Sequence, residues 1–286
     1  MPARPSAISA IWSSAARTDP CAGDRTRRPG LQYTHRVGRG HEAFTRLHEG
    51  LEQQAPGSDA STARALGLVG ALPDRPEVLD LGAGPGRQTL ALARLTRGRV
   101  TAVDLHEPFL DEIGRRADAA GLRERIRTVR ASIDAPGVPD GSIDLVWSEG
   151  AAYAIGFDRA LALWRPLLRP GGSLALTELA WLDDERTPEA RAFWEQAYPA
   201  MRRREENLTA LERAGYLRRG DFALPASDWW DRYYDALERR LPALRSELGG
   251  DAEARAALDE AAREIDVFRG SGGCYGYVFF VAGVPN

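Results

Sequence analysis

The run Val78-Leu79-Asp80-Leu81-Gly82-Ala83-Gly84-Pro85-Gly86 constrains this chain more than any other segment. Four residues suited to a buried strand are followed at once by three glycines on alternate positions, and then by a helical pattern over residues 87–95. Glycines so placed let another group come closer to the backbone than any Cβ would allow. The helix start that follows offers unpaired N–H groups and about half a positive charge. By itself such a loop is also what a tight strand-to-helix turn requires. The next strand narrows the reading. Val100-Thr101-Ala102-Val103-Asp104 sets an acid at its tip, where a carboxylate can accept both hydroxyls of a ribose, or cap the helix that opens at Pro108.

The rest of the chain keeps the same rhythm. Helical periodicity begins near His41, with Phe44, Leu47 and Leu51 on one face. After a break at Pro56-Gly57, Ser58 or Asp59 caps a second helix through Leu72. Strands are expected at residues 78–81, 99–105, 126–129, 143–147 and 173–176, with helices at 87–95, 109–120 and 157–168. Strands alternating with helices at this spacing build βαβ units and a parallel sheet. Residues 188–215 and 228–268 read as helical, Phe222-Ala223-Leu224 as one strand between them, and the aromatic 274–281 as a closing strand. The implied organisation is an arm without order at 1–40, N-terminal helices and an α/β core at 41–184, a mainly helical cap at 185–270 with one core strand near 221–225, and a final core strand at 271–286.

Composition excludes several classes. No apolar run approaches the roughly 20 residues of a membrane helix. A net charge of −3 and a pI near 5.9 argue against nucleic acid as the main partner. All 38 basic residues are arginine, which leaves out a catalytic lysine, Schiff-base chemistry and a P-loop lysine. Cys21 and Cys274 are too few for a zinc cluster and fit a reducing, cytoplasmic setting. His41 and His48 share a helical face, but further ligands are missing, so no metal is expected and both are read as surface or capping residues.

Gly82-x-Gly84-x-Gly86 departs from the dinucleotide fingerprint, which has two residues before its third glycine, and no second nucleotide-binding half follows. What does follow is Ile143-Asp144-Leu145-Val146-Trp147-Ser148-Glu149 and then Arg169-Pro170-Gly171-Gly172. In that order the segments resemble the class I S-adenosylmethionine-dependent methyltransferases. Asp80 to Gly86 matches the first motif of the family, Asp104 its ribose-binding acid, residues 143–147 its fourth strand, and residues 169–172 the turn into its fifth. The likeness covers about residues 77–178, and the longer phrases WSEGAAYAIGF and YGYVFF are similar to a bacterial small-molecule-type subgroup.

The resemblance implies a doubly wound, seven-stranded, mostly parallel sheet of Rossmann-like type, with S-adenosyl-L-methionine as cofactor and S-adenosyl-L-homocysteine as product. By position, Asp80, Gly82, Ala83, Gly84 and Gln88 would serve the methionyl and ribose portions of the cofactor, Asp104 the ribose, and Leu105, Ser132 and Ile133 the adenine, with Asp134 near its amino group and Ser148 near the methionine end. The expected reaction is methyl transfer to an O or N atom of a small-molecule metabolite. Glu149, following the fourth strand, is the first candidate for a general base, against an ion pair beneath the pocket; Tyr153 is the candidate for orienting the acceptor, and Glu178 is weaker. The aromatic residues outside the sheet, from Trp181 to Tyr234, read either as an acceptor pocket or as the docking surface of the cap. The segment SEGAAY stands where amino-methylating nucleic-acid enzymes carry Asn/Asp-Pro-Pro-Tyr. The expected partners are therefore a small-molecule acceptor, with no nucleic acid and no membrane, and a homodimer as an oligomeric option. The rival readings are an NAD-dependent oxidoreductase and a non-catalytic cofactor-binding sensor or assembly protein.

Overall fold

The computed structural model describes residues 38–286, so most of the expected N-terminal arm, with Cys21, lies outside the described residues. Ten α-helices and eight strands follow in order: α1 (Arg39–His48), α2 (Asp59–Leu68), β1 (Glu77–Leu81), α3 (Arg87–Thr96), β2 (Arg99–Asp104), α4 (Glu107–Ala119), β3 (Ile126–Arg130), β4 (Ile143–Ser148), α5 (Phe157–Trp164), β5 (Leu168–Trp181), α6 (Pro188–Ala197), β6 (Arg202–Arg203), α7 (Arg204–Arg213), β7 (Leu217–Ala223), α8 (Ala226–Trp229), α9 (Asp235–Leu248), α10 (Ala252–Gly270) and β8 (Tyr275–Gly283). A π-helical turn, Trp230–Tyr234, joins α8 to α9.

The sheet runs β3-β2-β1-β4-β5-β8-β7, with the two-residue β6 beside β5. Pairings among β1 to β5 are parallel, and β8 enters antiparallel between β5 and β7. The expected mostly parallel, doubly wound sheet is present. Its central strands are buried on both faces, as parallel strands covered by helices must be: residues 78–81 and all of β4 are buried. The chain crosses the sheet in opposite directions from β1 to β2 and from β1 to β4. The carboxyl ends of β1 and β4 therefore flank a topological switch point, where open α/β sheets form a crevice.

Several elements differ from the sequence expectation, each for a tertiary reason. The fifth strand extends well beyond 173–176 because β8 pairs with it from Ser173 to Trp181. Residues 188–215 form two helices, not one, because Arg202 and Arg203 pair with Ala180 and Trp181 on the side of β5 that β4 leaves open. The strand expected near 221–225 begins at Leu217; its first half, Leu217-Arg218-Arg219-Gly220, is a polar, bulged edge with no apolar alternation to show it. The second helix stops at Leu68, although Ser58 caps it as expected by accepting from the Ser61 N–H.

One apolar cluster joins the N-terminal helices, one face of the sheet and the cap, with Leu47, Trp147, Trp229, Leu258 and Phe279 in the same body. The opposite face packs Trp164 of α5 and Leu211 of α7 against Leu176 and Phe280. Cap and sheet thus share a core.

Candidate functional site

Each glycine of the loop after β1 has its own reason. A Cβ on Gly82 would lie 2.3 Å from the Ala151 Cβ, so this position lets the loops after β1 and β4 close on each other. On Gly86 it would meet Ile113 of α4 at 2.4 Å. Gly84 is different. At φ +54° its Cβ position has only Gln54 Cγ nearby, at 3.8 Å, and it faces a groove of 460 Å³. Val103 O accepts the N–H groups of Gly82 and Ala83 at 2.9 and 3.0 Å, which pins the loop to β2.

Of the residues expected at the cofactor, Gly82, Ala83, Gly84, Gln88, Asp104, Leu105, Ser132 and Ile133 all line this groove. Asp104 Oδ2 accepts from the Gly84 N–H at 2.9 Å and Oδ1 from the His106 N–H at 2.8 Å, so the acid at the tip of β2 also shapes the loop before it. Leu105 is half exposed, an apolar side chain held at the groove wall. Ile133 lines the groove while its carbonyl accepts from Trp164 Nε1.

Two expected residues are not on the wall. Asp80 is fully buried beneath the loop, where it accepts from Thr89 Oγ1 at 2.5 Å and lies 3.5 Å from Gln88 Nε2. Burial pushes its carboxyl up to about 7. It ties the first turn of α3 to β1, and Gln88 in turn donates to Ala83 O. Ser148 is also sealed; its hydroxyl donates to Leu81 O and links β4 to β1. Asp134 is held by Arg159 at 2.9 Å.

Glu149 lines the groove but is fully engaged. It forms a buried ion pair with Arg87, and Oε1 accepts from Thr62 Oγ1 and Trp147 Nε1, each at 2.8 Å. Arg87 also reaches Asp59 at 3.1 Å. This network binds α2, α3 and β4 together, which is the ion-pair reading of Glu149. With both oxygens so occupied, a proton accepted there would break the pair.

The groove continues into a larger chamber of 1000 Å³ beneath the cap; Gly150, Tyr153 and Gln54 line both. The chamber wall carries Tyr153, Trp194, Trp229, Tyr233, Tyr234 and Tyr277. Trp229 both docks the cap and lines the cavity: it stacks on Phe268 at 4.2 Å and lies 5.4 Å from Tyr277. Both Tyr233 and Tyr234 come from the π-helical turn, a local distortion frequent at functional sites.

Burial raises the Tyr153 phenol well above its usual range, so it stays protonated at neutral pH. Glu178 is buried beside the chamber, accepts from Tyr198 at 2.9 Å, and is pushed up to about 8 by burial. Arg202, Arg203 and Arg204 are each occupied, by Asp158, Asp184 and Asp221 respectively.

Two chamber residues escaped sequence reasoning. Glu264 of α10 lines the wall, accepts from Tyr234 at 2.7 Å, and is raised to about 7 by burial. His48, expected at the surface, is buried: its ring nitrogens sit 2.9 Å from Phe44 O and 3.3 Å from the Tyr233 hydroxyl. Burial lowers it to about 4, so it is neutral at pH 7. The apolar stripe of α10 was a sequence signal for its buried face, but nothing local marked Glu264 as facing a cavity. Among the described residues, no group of His, Cys, Asp and Glu is placed to hold a metal ion, and no helix is long and apolar enough to cross a membrane.

Comparison with known proteins agrees with this architecture. Residues 78–172 match the family described as a methyltransferase domain. Over 139 residues the chain is 37% identical to the dimethylglycine N-methyltransferase of Parasynechococcus marenigrum, covering 46% of this chain and 49% of that protein. Over 155 residues it is 29% identical to the 27-O-demethylrifamycin SV methyltransferase of Amycolatopsis mediterranei, covering 49% and 57%. The chain thus spans about half the length of these curated relatives. In fold it is similar to a methyltransferase from Geobacter sulfurreducens solved with S-adenosyl-L-homocysteine, with a TM-score of 0.71, 22% identity, and 86% and 98% of the two chains covered.

Proposed function

We infer that this chain, which belongs to the class I S-adenosylmethionine-dependent methyltransferases, moves a methyl group from S-adenosylmethionine to a nitrogen or oxygen atom of a small molecule in the cytoplasm. One observation carries the reading: a glycine-bared groove ending at Asp104 opens, past Gly150 and Tyr153, into an aromatic-lined chamber. A nucleotide site alone needs only the groove. A transferase needs both compartments in contact.

The residues present fit the cofactor. A side chain at Gly84 would project into the groove, while Asp104 offers its carboxylate at the strand tip, and Leu105, Ser132 and Ile133 give a mixed wall for the adenine. Gly82, Ala83 and Gln88 would hold the methionyl end, with Asp80 and Ser148 supporting them from beneath. When bound, the sulfonium supplies an already activated methyl group. The chain's task is then alignment, and good positioning corresponds to effective molarities of about 10⁵–10⁸ M.

Tyr153 stands at the junction of groove and chamber and is proposed to orient the acceptor as a neutral phenol. Glu149 is proposed as a positioning residue, acting through Arg87 on the helix that starts the groove, in place of a free base.

Thermal shift separates this reading from an oxidoreductase: S-adenosyl-L-homocysteine should raise Tm by several degrees and NAD should not. Stabilisation by NAD alone would overturn it. Turnover of isotopically labelled cofactor across a metabolite panel separates it from a sensor, which would bind cofactor and give no methylated product.

A further inference from the structure

We propose that the chamber takes an amine as its cation, with the ammonium group received by the Glu264 carboxylate and the surrounding aromatic rings. This deepens, and rests on, the methyl-transfer reading of the same site.

Glu264 has no basic partner among the described residues; its hydrogen bond is from the neutral Tyr234 hydroxyl. The other charged side chains around the chamber are largely neutralised. Arg46 pairs with Glu247, Arg115 and Arg116 with Glu112, and Glu52 with Arg232. His48 is held neutral by burial. Glu264 is thus a carboxyl group without a counter-ion among the described residues, in walls that are mainly apolar and aromatic, whereas Glu49 on the same wall is exposed to solvent.

An isolated carboxylate in such a place is costly and takes up a proton, consistent with burial raising Glu264 to about 7. A cation in the chamber removes that penalty. It also meets the negative faces of aromatic rings, which attract ammonium groups most strongly where water is excluded. Tyr153, Trp194, Trp229, Tyr233, Tyr234 and Tyr277 are among the rings that line this cavity. A phosphorylated or carboxylated acceptor would instead face repulsion from Glu264, while the arginines on the chamber wall each already hold a carboxylate. A neutral acceptor would leave the carboxyl without a role.

The same group gives the ammonium proton a destination. Transfer from nitrogen to a Glu264 oxygen leaves a neutral amine with its lone pair free and a neutral carboxyl group that still accepts from Tyr234.

The test uses the full chain saturated with S-adenosyl-L-homocysteine and two probes of the same shape, choline and its uncharged isostere 3,3-dimethylbutan-1-ol, titrated calorimetrically. Choline should bind at least tenfold tighter than the alcohol. Glu264→Gln, which keeps the acceptor for Tyr234, should reduce that preference to about twofold with cofactor-product affinity unchanged. Equal affinity for the two probes overturns the inference without any variant. A choline preference that survives Glu264→Gln also overturns it. Binding of neither probe, with intact binding of S-adenosyl-L-homocysteine, overturns the amine assignment and leaves the methyltransferase reading standing. Failure of the wild-type chain to bind S-adenosyl-L-homocysteine strikes that reading itself.

Discussion

The groove is made of backbone and the chamber beside it is made of rings. Groove residues come mostly from loops that directly follow strands: Gly82 to Pro85 after β1, Asp104 to His106 at the end of β2, Ser132 and Ile133 after β3, and Glu149 to Ala151 after β4. Chamber residues come from α1, the π-helical turn, α6, α10 and β8, joined only when the cap closes on the sheet. The first compartment inherits its shape from the parallel sheet, which places all these strand ends together. The second depends on long-range packing, so its contents can change while the fold stays the same. Under the proposed function, the contrast marks where cofactor and acceptor specificity would separate in this molecule.

The boundary between them offers the largest test. Glu149→Ala leaves Arg87 buried without its partner, and should destabilise the protein by about 3–5 kcal/mol, read as a fall in the urea midpoint. The double variant Arg87→Met, Glu149→Leu should recover most of that loss. If the single change is silent, the pair does not hold α2 and α3 to the end of β4.

Within the groove, Gly84→Val should weaken S-adenosyl-L-homocysteine binding toward the upper end of about 5- to 150-fold, because overpacking costs about 1–3 kcal/mol. Calorimetry would show it, and unchanged affinity would contradict the groove's assignment to cofactor. Asp104→Ala should cost less, about tenfold, since hydrogen bonds to charged groups contribute about 1.5 kcal/mol or more and this carboxylate is shared with two backbone amides.

A pH-dependent test concerns Glu178, beside the chamber. Its carboxyl is raised by burial from 4.5 to about 8 in the folded chain. The folded state therefore binds more protons than the unfolded state between these values. The resulting stability is complete at low pH and is lost as pH rises toward 8, at up to about 1.4 kcal/mol per pH unit. Asp80 and Glu264, each raised to about 7, act in the same direction. Glu178→Gln should flatten part of this slope, so its Tm relative to wild type should rise from pH 5 to about pH 8 and level off above it. Parallel curves would show that Glu178 does not titrate in that window.

The legible part of the site was the contiguous part. Gly82, Gly84 and Asp104 are where the motif spacing put them, because φ at a glycine and the tip of a strand are local properties. Asp80 and Ser148 were assigned to the cofactor, but both are buried beneath the loop and off the groove wall, since strand alternation and register decide which way each faces. Glu149 was legible as an acid after β4, but its pairing was set by Arg87 on another helix. The edge strand β7 carried no apolar alternation, so only its pairing with β8 defines it.

The amino-acid sequence alone determined the alternating strand–helix order, the bare loop and the acid at the next strand's tip, because these follow from side-chain size, backbone freedom and hydrogen bonding among near neighbours. Tertiary structure alone decided that Glu264, His48 and aromatic residues from distant segments surround one cavity. Burial is a property of the whole packed chain, and it is burial that turns an ordinary helical glutamate into a lone carboxyl facing an apolar chamber.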